Sequence, residues 1–523
     1  MKSTKYTLGA LALALSVLAS CTEKFLYEQP VDQITDANFY KTETDAILAT
    51  NAAYSELTKE GQYDAAQWAF DIWSDVSSSG GDTGTDASEY KQLEAYTIPT
   101  TNFVATRLWG GSFVGIQRAN LVLQKVPLIT SINPDVQKRC LGEAQFLRAK
   151  FYFDLVRAYG DVPLFTAPPA SPSEVNIPRT PVAQVYTQIE KDLADAFSNL
   201  QPSYSGADLG RATKWAAAGL LAKVYITEGK KAEAAQWARQ VINNSGKTMW
   251  ASYGDNFNPN NENNNAKESL FEIQFVSGKN TENGGYTRNS VGSAMNEFFG
   301  PRGQNQTPGS GYGFNIPDPD FVAGYEAGDT RKAVTVWSPG DTYPDNSKNP
   351  ASMTGSPFGY SCKKWFVGKV NTTIWDSPLN VPVLRLAEMY LIVAEAVGPT
   401  AGLDGGLEAI NMVRRRAFGL NYKVPSAAVD LTASTPNFTN AVLRERKYEL
   451  AFEFDRWFDM KRAMTLYPSL TDHALIPRII AQNAAIGNSL PNVHGTPTQN
   501  TLVLPIPQSE IDTNPGLVQN PGY

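Results

Sequence analysis

Residues 142–165 read GEAQFLRAKFYFDLVRAYGDVPLF, and their spacing decides the fold class. Leu147, Phe151, Leu155 and Ala158 recur every three to four residues and make one apolar stripe of a helix. Tyr152, Val156 and Tyr159 add a second stripe beside it. A helix apolar over so wide an arc is predicted to lie packed between neighbours. Gly160 and Pro163 then stop it, because glycine tolerates the left-handed turn after a last helical residue and proline cannot continue the ladder. Downstream, Leu221, Ala222, Tyr225, Gly229, Ala234 and Ala238 approximate the helix-turn-helix spacing of a tetratricopeptide (TPR) repeat. A second such pair spans 384–418, with Leu386, Tyr390 and Ala394 on one helix and Ala409, Ile410 and Val413 on the next. The expected fold is therefore mostly α, with TPR-like helical repeats as a scaffold, and residues 40–245 read as helix after helix.

From 246 to 380 the pattern changes. Asn crowds 256–265, and Gly, Pro, Ser and Asp crowd 300–360, which favours turns and long loops. Tyr286, Phe298, Tyr312, Tyr325, Trp337, Tyr343, Tyr360, Trp365 and Trp375 punctuate the stretch. Disordered segments are poor in aromatics, so ordered loops over a helical frame are predicted. Helices return at 381–418 and 439–464, and a strand-like run at Leu502–Leu504 leads into a tail with Pro505, Pro507, Pro515 and Pro521. The expected organisation is a helical region 21–245 and a loop-rich region 246–523, together one compact unit.

The N-terminus carries an address. Lys2 and Lys5 precede an apolar run from Leu8 to Ala19, then Ser20 and Cys21, which is the form of a secretory signal. The run is too short to span a bilayer, which needs about 20 residues. Small residues before Cys21 resemble a bacterial lipobox, so cleavage after Ser20 and lipidation of Cys21 are expected. Loss of Lys2 and Lys5 leaves 43 basic against 52 acidic residues, a net charge of −9 that argues against nucleic acid. Cys140 and Cys362 are expected to be free, buried thiols.

Seven segments in order resemble the SusD/RagB family of Bacteroidetes outer-membrane lipoproteins. They are Trp109–Val126, Gly142–Phe165, Gly210–Thr227, Val383–Ala396, Ile410–Ala417 (INMVRRRA), Arg444–Arg462 (RERKYELAFEFDRWFDMKR) and the tail Leu504–Tyr523. The resemblance implies an α-helical protein with four TPR-like units and an irregular ligand-binding region. It implies capture of glycans, or for some members peptides, at the cell outer membrane. It also implies a partner, a SusC-like TonB-dependent transporter. Thr22-Glu23-Lys24 holds one acid where the family's surface-export signal is usually an acidic cluster.

Catalysis is not expected. The four-residue spacing of Glu445, Glu449 and Glu453 predicts one helix face of carboxylates, the kind of pairing glycoside hydrolysis needs, but five cationic residues surround them. Such pairing lowers carboxylate pKa values, the wrong direction for a general acid. His473 and His494 stand in unrelated surroundings, and Gly246-Lys247-Thr248 lacks the upstream glycine of a phosphate loop. Phe257 and Pro259 break calcium-loop spacing in Asp255–Glu262, so no cofactor or metal is expected. Sugar binding needs aromatic platforms beside charged hydrogen-bonding groups. That mixture occurs at Trp68, Trp73 and Asp75, leading into SSSGGDTGTD, and at Tyr286, Arg288, Trp337 and Trp375. Trp109, Trp215, Trp237 and Trp457 fall in helical stripes and are expected in the core. The reading is a receptor for an oligosaccharide, with a peptide receptor or a surface glycosidase as alternatives.

Overall fold

The computed structural model describes residues 39–82, 86–261, 267–278, 292–369, 373–486 and 495–523. The signal segment, Cys21, Tyr286, Arg288 and His494 lie outside the described residues. Ten helices carry the frame: α1 (Glu43–Tyr54), α2 (Phe103–Lys125), α3 (Pro134–Tyr159), α4 (Val182–Asn199), α5 (Lys214–Glu228), α6 (Lys231–Asn244), α7 (Leu386–Val397), α8 (Gly406–Ala417), α9 (Phe438–Glu449) and α10 (Arg456–Leu466). Consecutive members pair as hairpins, α2 on α3, α3 on α4, α5 on α6 and α7 on α8, while α6 also packs on α7. The mostly α, TPR-like expectation is met.

Local chemistry sets the helix ends. Asn102 Oδ1 accepts the Val104 and Ala105 amides at 2.9 and 3.3 Å, satisfying donors that α2 would otherwise leave orphaned. Asn133 does the same for α3, with Pro134 pre-set at the first helical position. Gly229, at φ 80°, closes α5 in the left-handed region. Both stripes of α3 are buried, from Leu147 to Tyr159. Gly115 of α2 lies so close to Phe151 that an added Cβ would stand 2.3 Å from its ring. Glycine there sets the α2–α3 spacing.

Between 55 and 102 the helical expectation fails. The chain there makes short turns, two brief helices (Ala69–Ile72 and Ser88–Glu94) and the strand β1 (Ser77–Gly80). β1 pairs antiparallel with β3 (Phe314–Pro317), register Ser77↔Pro317 and Gly80↔Phe314. β2 (Ser269–Ile273) pairs with β6 (Val381–Arg385), and β4 (Val336–Trp337) with β5 (Ser361–Cys362). The loop-rich stretch is thus stitched to distant parts of the frame by two-stranded ladders. Leu502–Leu504 is not a strand: Asn500–Leu502 form a 3₁₀ turn and the Leu504 amide donates to Ala158 O at 2.8 Å. Asn520 Nδ2 donates to Tyr159 O and Leu504 O, so the tail closes over the end of α3. Proline leaves too few amide donors there for a ladder.

α9 ends at Glu449, so Glu445 and Glu449 share its face while Glu453 lies beyond it, and all three are structural, Glu445 pairing with Arg331 and Arg414. Glu449 accepts Arg416 at 2.5 Å and Arg385 at 2.9 Å, with Arg331 at 3.3 Å, and Glu453 pairs with Arg385 and Lys364. Burial would raise the Glu449 carboxyl, but Arg416, Arg385 and Arg331 outweigh it and hold the group at about 2. Cys140 and Cys362 are free and buried, and burial pushes the Cys362 thiol to about 12.

A half-buried aromatic face on the loop side

The loops converge where β1 and β3 pair. Phe298 lies in the short helix Met295–Phe299, Tyr312 leads into β3, and Trp375 sits on the 373–380 segment at φ 57°. A bulky residue held in that region costs roughly 1–3 kcal/mol, which the surrounding contacts must offset. The three rings meet: Trp375 lies 6.3 Å from Phe298 and 6.5 Å from Tyr312, whose plane is tilted only 28° to it. Phe298 and Tyr312 are 5.6 Å apart. All three residues are half-buried.

The face is propped from beneath. Trp68 stacks on Tyr90 at 4.1 Å and packs edge-on against Phe299 and nearly parallel to Phe314. Its polar rim comes from two loops. Arg302 donates through Nη1 to Tyr312 O at 2.7 Å and pairs with Asp86 at 3.0 Å and Asp82 at 3.7 Å. Asp82 is 52 % and Asp86 31 % exposed, and Asp86 Oδ2 also accepts the Asp82 amide at 2.8 Å. Buried Glu297 sits below, its carboxyl pushed up to about 7 by burial, and its carbonyl accepts the Tyr312 amide at 2.8 Å. Flat apolar rings beside partly exposed charged groups can hold a ligand that offers apolar faces ringed by hydroxyls.

Several expected ligand contacts lie elsewhere. Trp73 is 0 % exposed, stacked 3.8 Å from Trp457 with planes 7° apart. Asp75 is 0 % exposed and accepts Arg456 at 2.7 Å, Lys447 at 2.8 Å and Arg478 at 2.8 Å. Trp68 is 1 % exposed and serves the face only as its support. Trp337 is buried under Lys363 between Tyr343 and Phe366. Of the described candidates, Trp375 alone reaches the face. Phe298, Tyr312, Asp82, Asp86 and Arg302 were not singled out as contacts, although the first two were noted among the loop aromatics. The signal available was GSGYGF around Tyr312, where glycines leave a ring uncrowded. Trp109, Trp215 and Trp457 are buried as expected, and Trp237 packs half-buried on Phe197.

A separate cleft of about 900 Å³ opens between α2 and the tail, lined by Trp109, Phe113, Phe165, Val175 and Leu517 among others. It has the size of a ligand pocket, and its mainly apolar walls also carry Gln117, Arg118, Asn176, Glu510 and Asn514. No group of three His, Cys, Asp or Glu side chains among the described residues could hold a metal. Asp255 instead accepts Asn261 Nδ2 at 3.0 Å.

Comparison with known proteins matches this architecture. A family profile described as SusD family covers residues 235–523, more than half of the chain. The chain belongs to the SusD family. A second profile, described as starch-binding associating with outer membrane, covers residues 24–226. SusD-like relatives include one from Formosa agariphila, 28% identical over 99% of this chain and 100% of its own length. Another, from Bacteroides ovatus, is 29% identical over 88% of this chain and 82% of its own. Among solved structures, a laminarin binding SusD-like protein superposes with a TM-score of 0.76, 27% identity, and coverage of 92% of this chain and 100% of that one. A surface glycan-binding protein of Bacteroides thetaiotaomicron in complex with laminarihexaose shares the SusD fold at a TM-score of 0.73 and 20% identity, over 92% of this chain and all of that one.

Proposed function

We propose that this SusD-family chain is a non-catalytic, lipid-anchored receptor of the outer membrane that binds an oligosaccharide and passes it to a SusC-like TonB-dependent transporter. The observation that carries the reading is the Phe298–Tyr312–Trp375 face, three half-buried rings rimmed by Asp82 and Asp86. The laminarin-binding relative on the same fold supports a glycan rather than a peptide. The carboxylates that a glycosidase would need on α9 are held by arginines. Cys21 and the outer-membrane description of the N-terminal profile support the anchor and the location.

Calorimetry of the mature chain with laminarin tests the binding step. Covering about 70 Å² of Trp375 ring at ~25 cal/mol per Å² contributes ~1.8 kcal/mol, so Trp375→Ala weakens affinity about 20-fold. Binding unchanged in that variant refutes the assigned face, and release of shorter sugars refutes the receptor. Copurification with a large β-barrel, abolished when the barrel is deleted, and fatty-acid labelling lost in Cys21→Ser test the partner and the anchor.

A further inference from the structure

Glu297 stands where the three rings of the aromatic face are tied together. It belongs to the short helix Met295–Phe299 and is 1 % exposed. Its carbonyl accepts the Tyr312 amide at 2.8 Å, its carboxylate accepts the Trp375 amide, and the next residue is Phe298. The helix itself is pinned on several sides. Ser293 and Ser377 exchange amide hydrogen bonds at 2.9 and 3.0 Å, and the Ala294 amide donates to Asp64 Oδ1 at 3.1 Å. Asn296 Nδ2 donates to Gly368 O at 3.0 Å, and Asn296 Oδ1 accepts the Val367 amide at 3.0 Å. Position 297 therefore joins the segment of Tyr312 to the segment of Trp375, through its backbone on one side and its side chain on the other.

The chemistry of that side chain is not what packing alone would choose. Asn296, equally buried, reaches across to the 367–368 stretch with a neutral amide. Glu297 reaches Trp375 with a carboxyl that burial, aided by Asp376, pushes up to about 7. The unfolded carboxyl titrates at about 4.3, so at pH 8 the folded chain holds an ionised group that opposes folding. What the charge supplies is a charge-assisted bond to the Trp375 amide, roughly twice as strong as a neutral one. Trp375 sits at φ 57°, and strain of that kind clusters at ligand-binding sites, where the surroundings must enforce it. Among the described residues, the groups that face the carboxyl are Asn296 beside it, Asp376 after Trp375, and the Tyr312 hydroxyl, which burial and then the Glu297 charge raise. Arg302 and Asp86 reach Tyr312 from the rim, and Asp64 holds the start of the helix.

Building on the glycan reading above, we infer that ionised Glu297 is the positioning group of this face, holding Trp375 in register with Tyr312, so that glycan is gripped in alkaline solution and released as the solution turns acidic. Calorimetry of the mature chain with laminarin, and with xyloglucan as a second neutral polymer, reads affinity at pH 6, 7 and 8. Neither polymer titrates, so a pH dependence belongs to the protein. Loss of the charge assistance is expected to weaken wild-type binding about fivefold between pH 8 and pH 6. Glu297→Gln is expected to bind at every pH as the wild type does at pH 6. In denaturant titrations that variant gains stability on the wild type from pH 5 to pH 8 and is no less stable at pH 8, so its weaker binding there does not come from a weaker fold. Lower stability at pH 8 makes Glu297 structural and overturns the inference. Trp375 adds a readout without ligand. Its emission, taken as wild type minus Trp375→Phe, shifts to the red between pH 8 and pH 6, and the shift is absent when both chains also carry Glu297→Gln. Affinity that is lost in Trp375→Ala but level from pH 6 to pH 8, or a slope that survives in Glu297→Gln, overturns the inference and keeps the glycan reading. Binding of neither polymer counts against the glycan reading, and the fluorescence shift then decides alone whether Glu297 holds Trp375.

Discussion

Replacing Asp75 by Asn distinguishes a structural carboxylate from a ligand contact. The side chain is 0 % exposed and carries Arg456, Lys447 and Arg478 on its two oxygens at 2.7–2.8 Å. Burial would raise this carboxyl, but Arg456, Lys447 and Arg478 hold it well below the usual carboxylate range. Asparagine keeps the volume and removes the charge, leaving three cations facing one another. Breaking a buried pair in this way costs about 3–5 kcal/mol. Lys447 relieves part of that, since its ammonium is already depressed to about 8, first by burial, and it can shed its proton. The two arginines cannot. For a chain of this length the unfolding entropy is about 1 kcal/mol per kelvin, so the expected fall in melting temperature is roughly 3–5 °C. Differential scanning calorimetry at pH 7 reads it, with glycan affinity measured in parallel. The unfolded carboxyl titrates near 3.9 and the folded one below it, so Asp75 stabilises above about pH 4 and the contribution fades as pH falls further. The gap between wild type and Asp75→Asn must close on the acid side. A variant that melts with the wild type yet no longer binds glycan would refute the argument and restore Asp75 to the ligand site.

Other outcomes follow from the same contacts. Gly115→Val drives a side chain into Phe151 and costs about 1–3 kcal/mol, seen as a lower denaturant midpoint with the slope unchanged. Trp68→Ala removes the support beneath Phe299 and Phe314, so it lowers stability by about 3–5 kcal/mol and affinity with it, whereas Trp375→Ala lowers affinity with little loss of stability. Burial and then Arg456 depress the His473 imidazole to about 3, so neutral His473 stabilises the fold above about pH 6.5 and that stability erodes towards pH 3. His473→Gln is expected to flatten the stability profile between those limits in denaturant titrations. A thiol reagent is expected to label Cys140 and Cys362 only on unfolding, because both are buried.

The frame was legible in the sequence because its periodicity is local. Leu147, Phe151 and Leu155 declare the buried face of α3 within nine residues, and Gly160 announces its end. Glu449 read as structural from the cations flanking it in sequence, yet the side chains that hold it are Arg416, Arg385 and Arg331 from other segments, while Arg444 and Arg446 pair with Glu326, Glu388 and Asp459. Trp73 and Asp75 were misread for a similar reason. Their partners stand more than 370 residues away, at Trp457, Lys447, Arg456 and Arg478, and no spacing rule connects them. The β1–β3 ladder was invisible likewise, since Ser77 and Pro317 pair across the chain and SSSG has weak strand preference. Which rings of the loop region stay open depends on how the loops cross. Trp337 and Trp375 look alike in sequence and differ only because Lys363, Tyr343 and Phe366 cover the first.

The tail that closes over α3 gives synthesis a checkpoint. Until residues 504–520 have been added, Ala158 O and Tyr159 O lack the amides that satisfy them, and Arg179 lacks the Val518 and Asn520 oxygens that it grips at 2.9 and 2.6 Å. A ribosome that stops short of Asn520 therefore releases a chain whose central helix ends in unmet carbonyls. Quality-control proteases can sort such truncated products from finished ones by a defect hundreds of residues upstream of the missing piece.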